Sequence, residues 1–212
     1  MKLIDIHTHN KEQEGIAIYN SGTSYLEDRP ISMGLHPWDI GDDWKEMFIA
    51  VAEKAEESNV VAIGECGLDK ARREVPFGVQ EEVFRAHIEL SEKLHKPLII
   101  HCVKAHDRVL ALHKEISPGQ AWAIHGFRGK PQLAMQLAKA GIYLSFSELF
   151  NAESIKAVPQ EMILIESDES SKPVREIYRA IAAARGTTIE ELAGTVEENA
   201  VVFTQFRPDR IR

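Results

Sequence analysis

The sequence predicts an α/β fold, a (β/α)8 TIM-type barrel, on three observations. Short apolar runs alternate with longer amphipathic stretches. Eight of the short runs read as strands. Several of them end in a histidine or carboxylate, where the strand ends of such a barrel carry their chemistry. Eight near-continuous apolar strands suit a parallel sheet buried on both faces, and favour a closed barrel over an open doubly wound sheet. A chain of 212 residues lies near the lower end of the barrel's range.

Taken in order, the first candidate strand is Leu3–Ile6 and the second Ile16–Tyr19. The segment from Asn10 to Gly15 is too short for a crossover helix, yet parallel neighbours need a connection of about a dozen residues or more. Either the first helix is shortened or missing, or the second strand is misread. The remaining strands are Ile31–Gly34, Val60–Ile63, Leu98–Ile100, Trp122–Ile124, Ile142–Phe146 and Met162–Ile165. Helical patterns fall at 42–58, 77–95, 104–116, 131–140, 174–185 and 188–203. No repeat, low-complexity stretch or linker interrupts them, so residues 1–212 read as a single domain.

Composition narrows the class. With 44% hydrophobic and 27% charged residues the protein reads as an ordinary globular chain, with no run long enough to span a membrane. Met1-Lys2-Leu3-Ile4 passes straight into the first strand without the features of a signal peptide, which points to the cytoplasm. Cys66 and Cys102 lie in apolar segments and read as buried thiols. The net charge of −8 disfavours a generic nucleic-acid groove binder, whose affinity comes from Lys and Arg. Bound metal ions can supply the missing positive charge, so a phosphate-cleaving enzyme survives that objection.

His7-Thr8-His9 follows the first apolar run, and residues two apart in a strand share a face, so two imidazoles can converge on one ion. His-X-His alone is a weak signal, but other strands repeat it. Val60–Ile63 runs into Gly64-Glu65-Cys66-Gly67, Leu98–Ile100 into His101, Trp122–Ile124 into His125, and Met162–Ile165 into Glu166-Ser167-Asp168. Any one of these could be a capped core residue or a loop anchor. Together they would place unrelated burial costs at the same topological position repeatedly. His7, His9, Glu65, His101, His125 and Asp168 are therefore the candidate metal ligands. Imidazole-rich sites suit Zn²⁺ and similar transition metals.

At these residues the chain resembles the TatD family of metal-dependent deoxyribonucleases, in the amidohydrolase superfamily. The likeness runs through His7-Thr8-His9, Gly34-Leu35-His36-Pro37, the string Val60 to Asp69, Pro97 to Cys102, His125-Gly126-Phe127 and Glu166-Ser167-Asp168. It continues through Gln80, Phe84, Asn199-Ala200 and Phe203. The resemblance implies cleavage of DNA phosphodiester bonds by a hydroxide held on two divalent ions, Zn, Mn or Mg. It also implies that His7, His9 and Asp168 hold one ion, that His101 and His125 hold the other, that Glu65 bridges them, and that Glu65 and Asp168 are the catalytic groups, Asp168 orienting the water or accepting its proton. Two-metal sites lower the pKa of a bound water and clamp the attacking and leaving oxygens.

The chain also departs from that pattern. The residue two after the fourth-strand histidine is usually Arg in the family, whereas Val103 and then Lys104 stand here. A guanidinium grips a phosphate bidentately and an ammonium acts as a point charge, so Lys104 and Arg128 become the candidate phosphate contacts. Glu169-Ser170-Ser171 replaces an Ala-Pro-aromatic segment, the long loop after it is absent, and the connection after His9 is short. His36 and Trp38 would wall the pocket, with Trp38 a candidate for base stacking. His87, His95, His106 and His113 fall in helical patterns and read as packed or solvated. DNA is thus the expected substrate, with no obligate protein partner evident. A small-molecule ester, phosphoester or amide is the enzymatic alternative, and a non-catalytic metal-binding scaffold the alternative of another class.

Overall fold

The apolar runs form eight strands: β1 (Ile4–Thr8), β2 (Ile16–Asn20), β3 (Ile31–Met33), β4 (Val60–Asp69), β5 (Leu98–Val103), β6 (Trp122–Ile124), β7 (Tyr143–Phe146) and β8 (Ile163–Ile165). The computed structural model describes residues 1–13 and 15–205. The strands lie in one sheet in chain order, and Thr8 at the end of β1 bridges in parallel to Asp168 beyond β8. That order and connection are those of the (β/α)8 class which the sequence predicts. Between the strands lie α1 (Trp44–Lys54), α2 (Phe77–Leu94), α3 (His106–Ile116), α4 (Pro131–Lys139) and α5 (Ala152–Ala157), and α6 (Val174–Arg185) and α7 (Ile189–Thr204) follow β8.

Local signals explain the helix ends. Pro131 opens α4 at a position where no amide donor is needed. Thr188 and Glu191 form a reciprocal capping box at the start of α7. The short α5 is absent from the sequence reading because six residues carry too little periodicity, but the Asn151 side chain caps it by accepting from the amides of Glu153 and Ser154.

Of the two alternatives for the first crossover, the first holds. β2 pairs in parallel with β1, Ile4 with Ile16 and Asp5 with Ala17, and no helix lies between them among the described residues. The chain needs to return only about 13 Å, the rise of four strand residues. Residues 9–15 reach about 24 Å when extended. β2 and β3 are likewise joined without a helix.

Packing divides the chain into two compact units, one made of Met1–Tyr19 with the chain from Ile124 onward, the other of Asn20–Ala123. In the first, Ile4, Ile6, Phe127, Phe146 and Ile163 to Ile165 are buried, as are Ile177, Tyr178 and Ile181 on α6. The Tyr178 hydroxyl donates to the Ile4 carbonyl at 2.7 Å and accepts from the Ile4 amide at 3.2 Å, tying α6 to the backbone of β1. In the second, Ile31, Met33, Ile63, Leu68, Phe84 and Leu98 to Ile100 are buried. Phe84 meets Trp122 edge to face, with ring centroids 5.7 Å apart.

Three strands run at least two residues further than the sequence suggests. β1 continues through His7 to Thr8, β4 through Gly64 and Gly67 to Asp69, and β5 through His101 to Val103. The glycines permit this close pairing: a Cβ on Gly64 would run into the Ile99 carbonyl, and one on Gly67 into that of His101. Glu65 and His101 therefore sit within strands, not just beyond their ends.

Candidate metal centre

In the first unit, β1 supplies His7, which is fully buried, and His9 follows it with an exposed side chain. Backbone bonds lace this segment to the segment after β8: the His9 amide donates to the Asp168 carbonyl at 3.0 Å, and the Asp168 amide to that of His7 at 2.9 Å. Asp168 takes a left-handed conformation, φ 54°, and its Oδ1 lies 3.8 Å from Nε2 of both His7 and His9. His125 follows β6, and its ring centroid is 4.6 Å from that of His7. One donor atom each from His7, His125 and Asp168 fall within 4.8 Å of one another.

Two buried carboxylates support this cluster, and the sequence reading singled out neither. Glu166 accepts the Gly126 amide at 2.6 Å and lies 3.5 Å from Nδ1 of His125. Burial alone would raise its carboxyl, but the His125 hydrogen bond and the His125 and His7 charges outweigh that and hold it low. Asp5 accepts from the Ser167 hydroxyl at 2.6 Å, the Ser167 amide at 3.0 Å and the His7 amide at 3.3 Å. Burial nevertheless pushes its carboxyl up to about 7.

In the second unit, two imidazoles converge on one oxygen of Glu65. Its Oε1 lies 2.9 Å from Nδ1 of His101 and 3.2 Å from Nε2 of His36, while Oε2 accepts from the Asn20 amide nitrogen at 3.1 Å. The other His101 nitrogen lies 3.3 Å from Oδ2 of Asp69. A neutral imidazole has one N–H, so it cannot donate to two carboxylates at once. Donor atoms of His36, Glu65 and His101 again fall within 4.8 Å of one another. Three ligands at ordinary distances around a tetrahedral cation stand about 3.4 Å apart, so small side-chain movements would close either set on an ion. The residue types fit too, with two imidazoles and a carboxylate in each.

Around His101 the site is built from Asp69, which is buried at the end of β4. Its Oδ2 accepts the Trp38 indole N–H at 2.7 Å, and its Oδ1 accepts the amides of Ala71 at 2.7 Å and Arg72 at 3.2 Å. Burial would raise this carboxyl, but those donors and His101 outweigh it and keep Asp69 below its usual range. Gln80 on α2 fixes the strand end by accepting the Asp69 amide at 2.8 Å and donating to its carbonyl. Trp38 is 47% exposed. The Arg72 guanidinium covers one face of its indole at 4.1 Å, so a base cannot stack on that face.

The six expected ligands thus fall as His7, His9, His125 and Asp168 in one unit and Glu65 with His101 in the other. His36, expected as a wall, joins Glu65 and His101 as a donor. The rule of an apolar run followed by a ligand-type residue could have found it, since Ile31–Gly34 leads through Leu35 to His36. Lys104 follows β5 with an exposed side chain, and Arg128 is exposed in the loop after β6. Arg128 contributes to holding down Glu148, after the larger effects of Lys172 and Ser170. Of the helical histidines, His87 is in the core, accepting the Leu35 amide on Nε2 at 2.9 Å.

Comparison with known proteins places these features in context. The family model described as TatD related DNase matches residues 6–205. A Bacillus subtilis protein named as the uncharacterized metal-dependent hydrolase YabD is 33% identical over 190 residues, covering 80% of this chain and 74% of its own. The 3'-5' ssDNA/RNA exonuclease TatD of Citrobacter rodentium is 31% identical over 198 residues, covering 79% and 73%. Among solved structures, the TatD homologue YJJV from Escherichia coli superposes with a TM-score of 0.73 at 20% identity, over 84% of this chain and 78% of that one. A TatD family hydrolase from Entamoeba histolytica gives 0.74 at 16% identity, over 96% and 98%. Those two likenesses are likenesses of fold.

Proposed function

The chain belongs to the TatD-related DNases, a family of metal-dependent hydrolases, and from that premise we propose that it cleaves phosphodiester bonds of single-stranded DNA with two divalent ions. The observation that carries the proposal is the pair of donor sets, His7–His125–Asp168 and His36–Glu65–His101, one in each packing unit. Each set would hold one ion, with His9 beside the first. The donor types favour Zn²⁺ or Mn²⁺, and Mg²⁺ is the third candidate. Such ions supply positive charge to the reacting phosphate and make water acidic enough to attack at neutral pH. The nucleic-acid substrate is supported by relatives named as ssDNA/RNA exonucleases. Residues 1–212 would act as one hydrolase domain, because the first unit is assembled from both parts of the chain that flank the second.

In this reading the chain's own groups do three things. Asp168, whose side chain is 21% exposed, accepts the proton of the attacking water on a carboxylate oxygen. Glu166 and Asp69, each buried against an imidazole, orient His125 and His101 and keep those rings aimed at their ligand. Exposed Lys104 and Arg128 draw in the phosphate backbone that the net charge of −8 would otherwise repel.

The test joins metal analysis to turnover. Protein equilibrated with Mn²⁺ or Zn²⁺ should carry two ions per chain, and it should hydrolyse a labelled single-stranded oligonucleotide until chelator is added. Turnover of a small chromogenic diester without any of the oligonucleotide would overturn the DNA assignment. Failure to bind even one ion would overturn the donor sets.

A further inference from the structure

Beside the Glu65–His101 pair, Asp69 also anchors Trp38 and Arg72, two residues that the proposed chemistry does not use. The Trp38 indole is in ring contact with His101, centroids 5.4 Å apart, and with His36 at 4.8 Å. Its N–H is held by buried Asp69 at 2.7 Å. The same carboxylate takes the Arg72 amide, so one acid fixes both the indole and the backbone from which Arg72 projects. The guanidinium carbon sits over the indole, 4.1 Å from its centroid. Its ion pair with Glu74 is loose, 4.0 Å, with both side chains at least half exposed.

This geometry suits a phosphate. A guanidinium resting on an aromatic face keeps its rim of N–H donors in the ring plane, pointing sideways, where they can grip two oxygens at once. Stacking also settles in advance the rotamer freedom a long side chain would lose on binding. A lone exposed lysine such as Lys104 has neither advantage. The indole touches both the guanidinium and His101, so by contact Arg72 is one group removed from the imidazole that meets Glu65. The phosphate it meets is then not the one being cleaved.

We infer that Arg72, stacked on Trp38, binds the phosphate next to the scissile one in a single-stranded oligonucleotide. The inference rests on the substrate reading above and adds to it the residue that makes the enzyme prefer a chain of phosphates to a single one. It fills a role that the sequence leaves open when Val103 stands where an arginine is usual.

The experiment compares a short single-stranded oligonucleotide with bis(p-nitrophenyl) phosphate, a diester with one phosphate, in wild type, Arg72→Gln, Arg72→Lys and Lys139→Gln. In Arg72→Gln the ratio of kcat/KM for oligonucleotide over that for the single-phosphate diester should fall about tenfold, chiefly through the oligonucleotide's KM. Bound metal should stay at the wild-type level. Arg72→Lys should fall between, and Lys139→Gln, a surface charge at the end of α4, should leave the ratio unchanged. The salt slope of oligonucleotide binding should also drop by about 0.7, the share of one phosphate contact on a single strand. An unchanged ratio in Arg72→Gln would overturn the inference, whether both substrates were spared or both suffered equally. Should the wild type hydrolyse no oligonucleotide, the substrate reading itself fails, and fluorescence anisotropy of the labelled oligonucleotide decides this point separately. Binding weakened about tenfold by Arg72→Gln would sustain the phosphate grip, and equal binding, or none in the wild type, would end it.

Discussion

Replacing His87 with glutamine should change how the fold answers to acid. His87 is wholly buried on α2, accepting the Leu35 amide on Nε2 and facing the Val83 carbonyl with Nδ1 at 2.8 Å. Both bonds suit a neutral ring with its proton on Nδ1. Burial pulls its pKa from 6.5 down to about 4, with the Val83 bond opposing weakly. Between those values the unfolded chain holds a proton that the folded chain refuses, so stability is whole above about 6.5 and drains away as pH falls through about 4. The loss comes to about 2 kcal/mol at pH 5 and about 3 kcal/mol in full, a large part of an ordinary folding free energy. In His87→Gln the amide oxygen can still accept the Leu35 N–H, and the titration is gone. Urea unfolding of chelated protein at pH 7.5 and pH 5 measures it. The wild type should lose about 2 kcal/mol more than the variant over that interval, as linkage requires. A difference between the two that does not move with pH would refute the reasoning. The outcome touches function, because the amide His87 holds is the one before His36.

The remaining predictions concern the donor sets. Asp5→Asn should act with the opposite sign: the raised carboxyl of Asp5 gives stability below about 4 that is lost as pH rises through about 7. The variant should therefore gain about 2.5 kcal/mol on the wild type between pH 5 and pH 8, read by urea unfolding of chelated protein. Glu65→Gln keeps the shape but removes the charge on which two imidazoles converge, so metal content should fall and hydrolysis drop about a hundredfold. Full metal occupancy with wild-type turnover would remove Glu65 from the mechanism. Binding of oligonucleotide should weaken on chelation and show a shallow salt slope, because a protein of net charge −8 neutralises few phosphates and so displaces few of the strand's counterions. A steep slope indifferent to chelator would point to a basic surface instead.

The sequence shows a strand ending in a ligand wherever the apolar run stops at or close to the strand's true end. Thr8, Ile124 and Ile165 close their strands within three residues of His7 and His9, His125 and Asp168. β4 hides its length because Gly64, Glu65 and Gly67 read as a turn, although the glycines are there to let the strand pass close to Ile99 and His101. His36 is obscured differently: its strand is three residues long and Leu35 separates it from the run. The buried acids were out of reach for a physical reason. Asp5 and Glu166 show their role only through partners distant in sequence, Ser167 in one case and Gly126 with His125 in the other. The family string containing Glu65 identifies chemistry that spacing alone leaves among alternatives, but it says nothing of Arg72.

The first packing unit is discontinuous, joining Met1–Tyr19 to the chain from Ile124 onward, while the second is one unbroken stretch. On the ribosome this becomes an order of events. His36, Glu65 and His101 have all left the tunnel while Asp168 is still to be translated, a lag of several seconds at about 5–20 residues per second. His7 and His9 emerge before any of them, yet their carboxylate partner comes after all of them. All three members of the Glu65 donor set are thus available early and the Asp168 set is whole only late, so a chain that stalls before residue 168 contains the first and lacks the second.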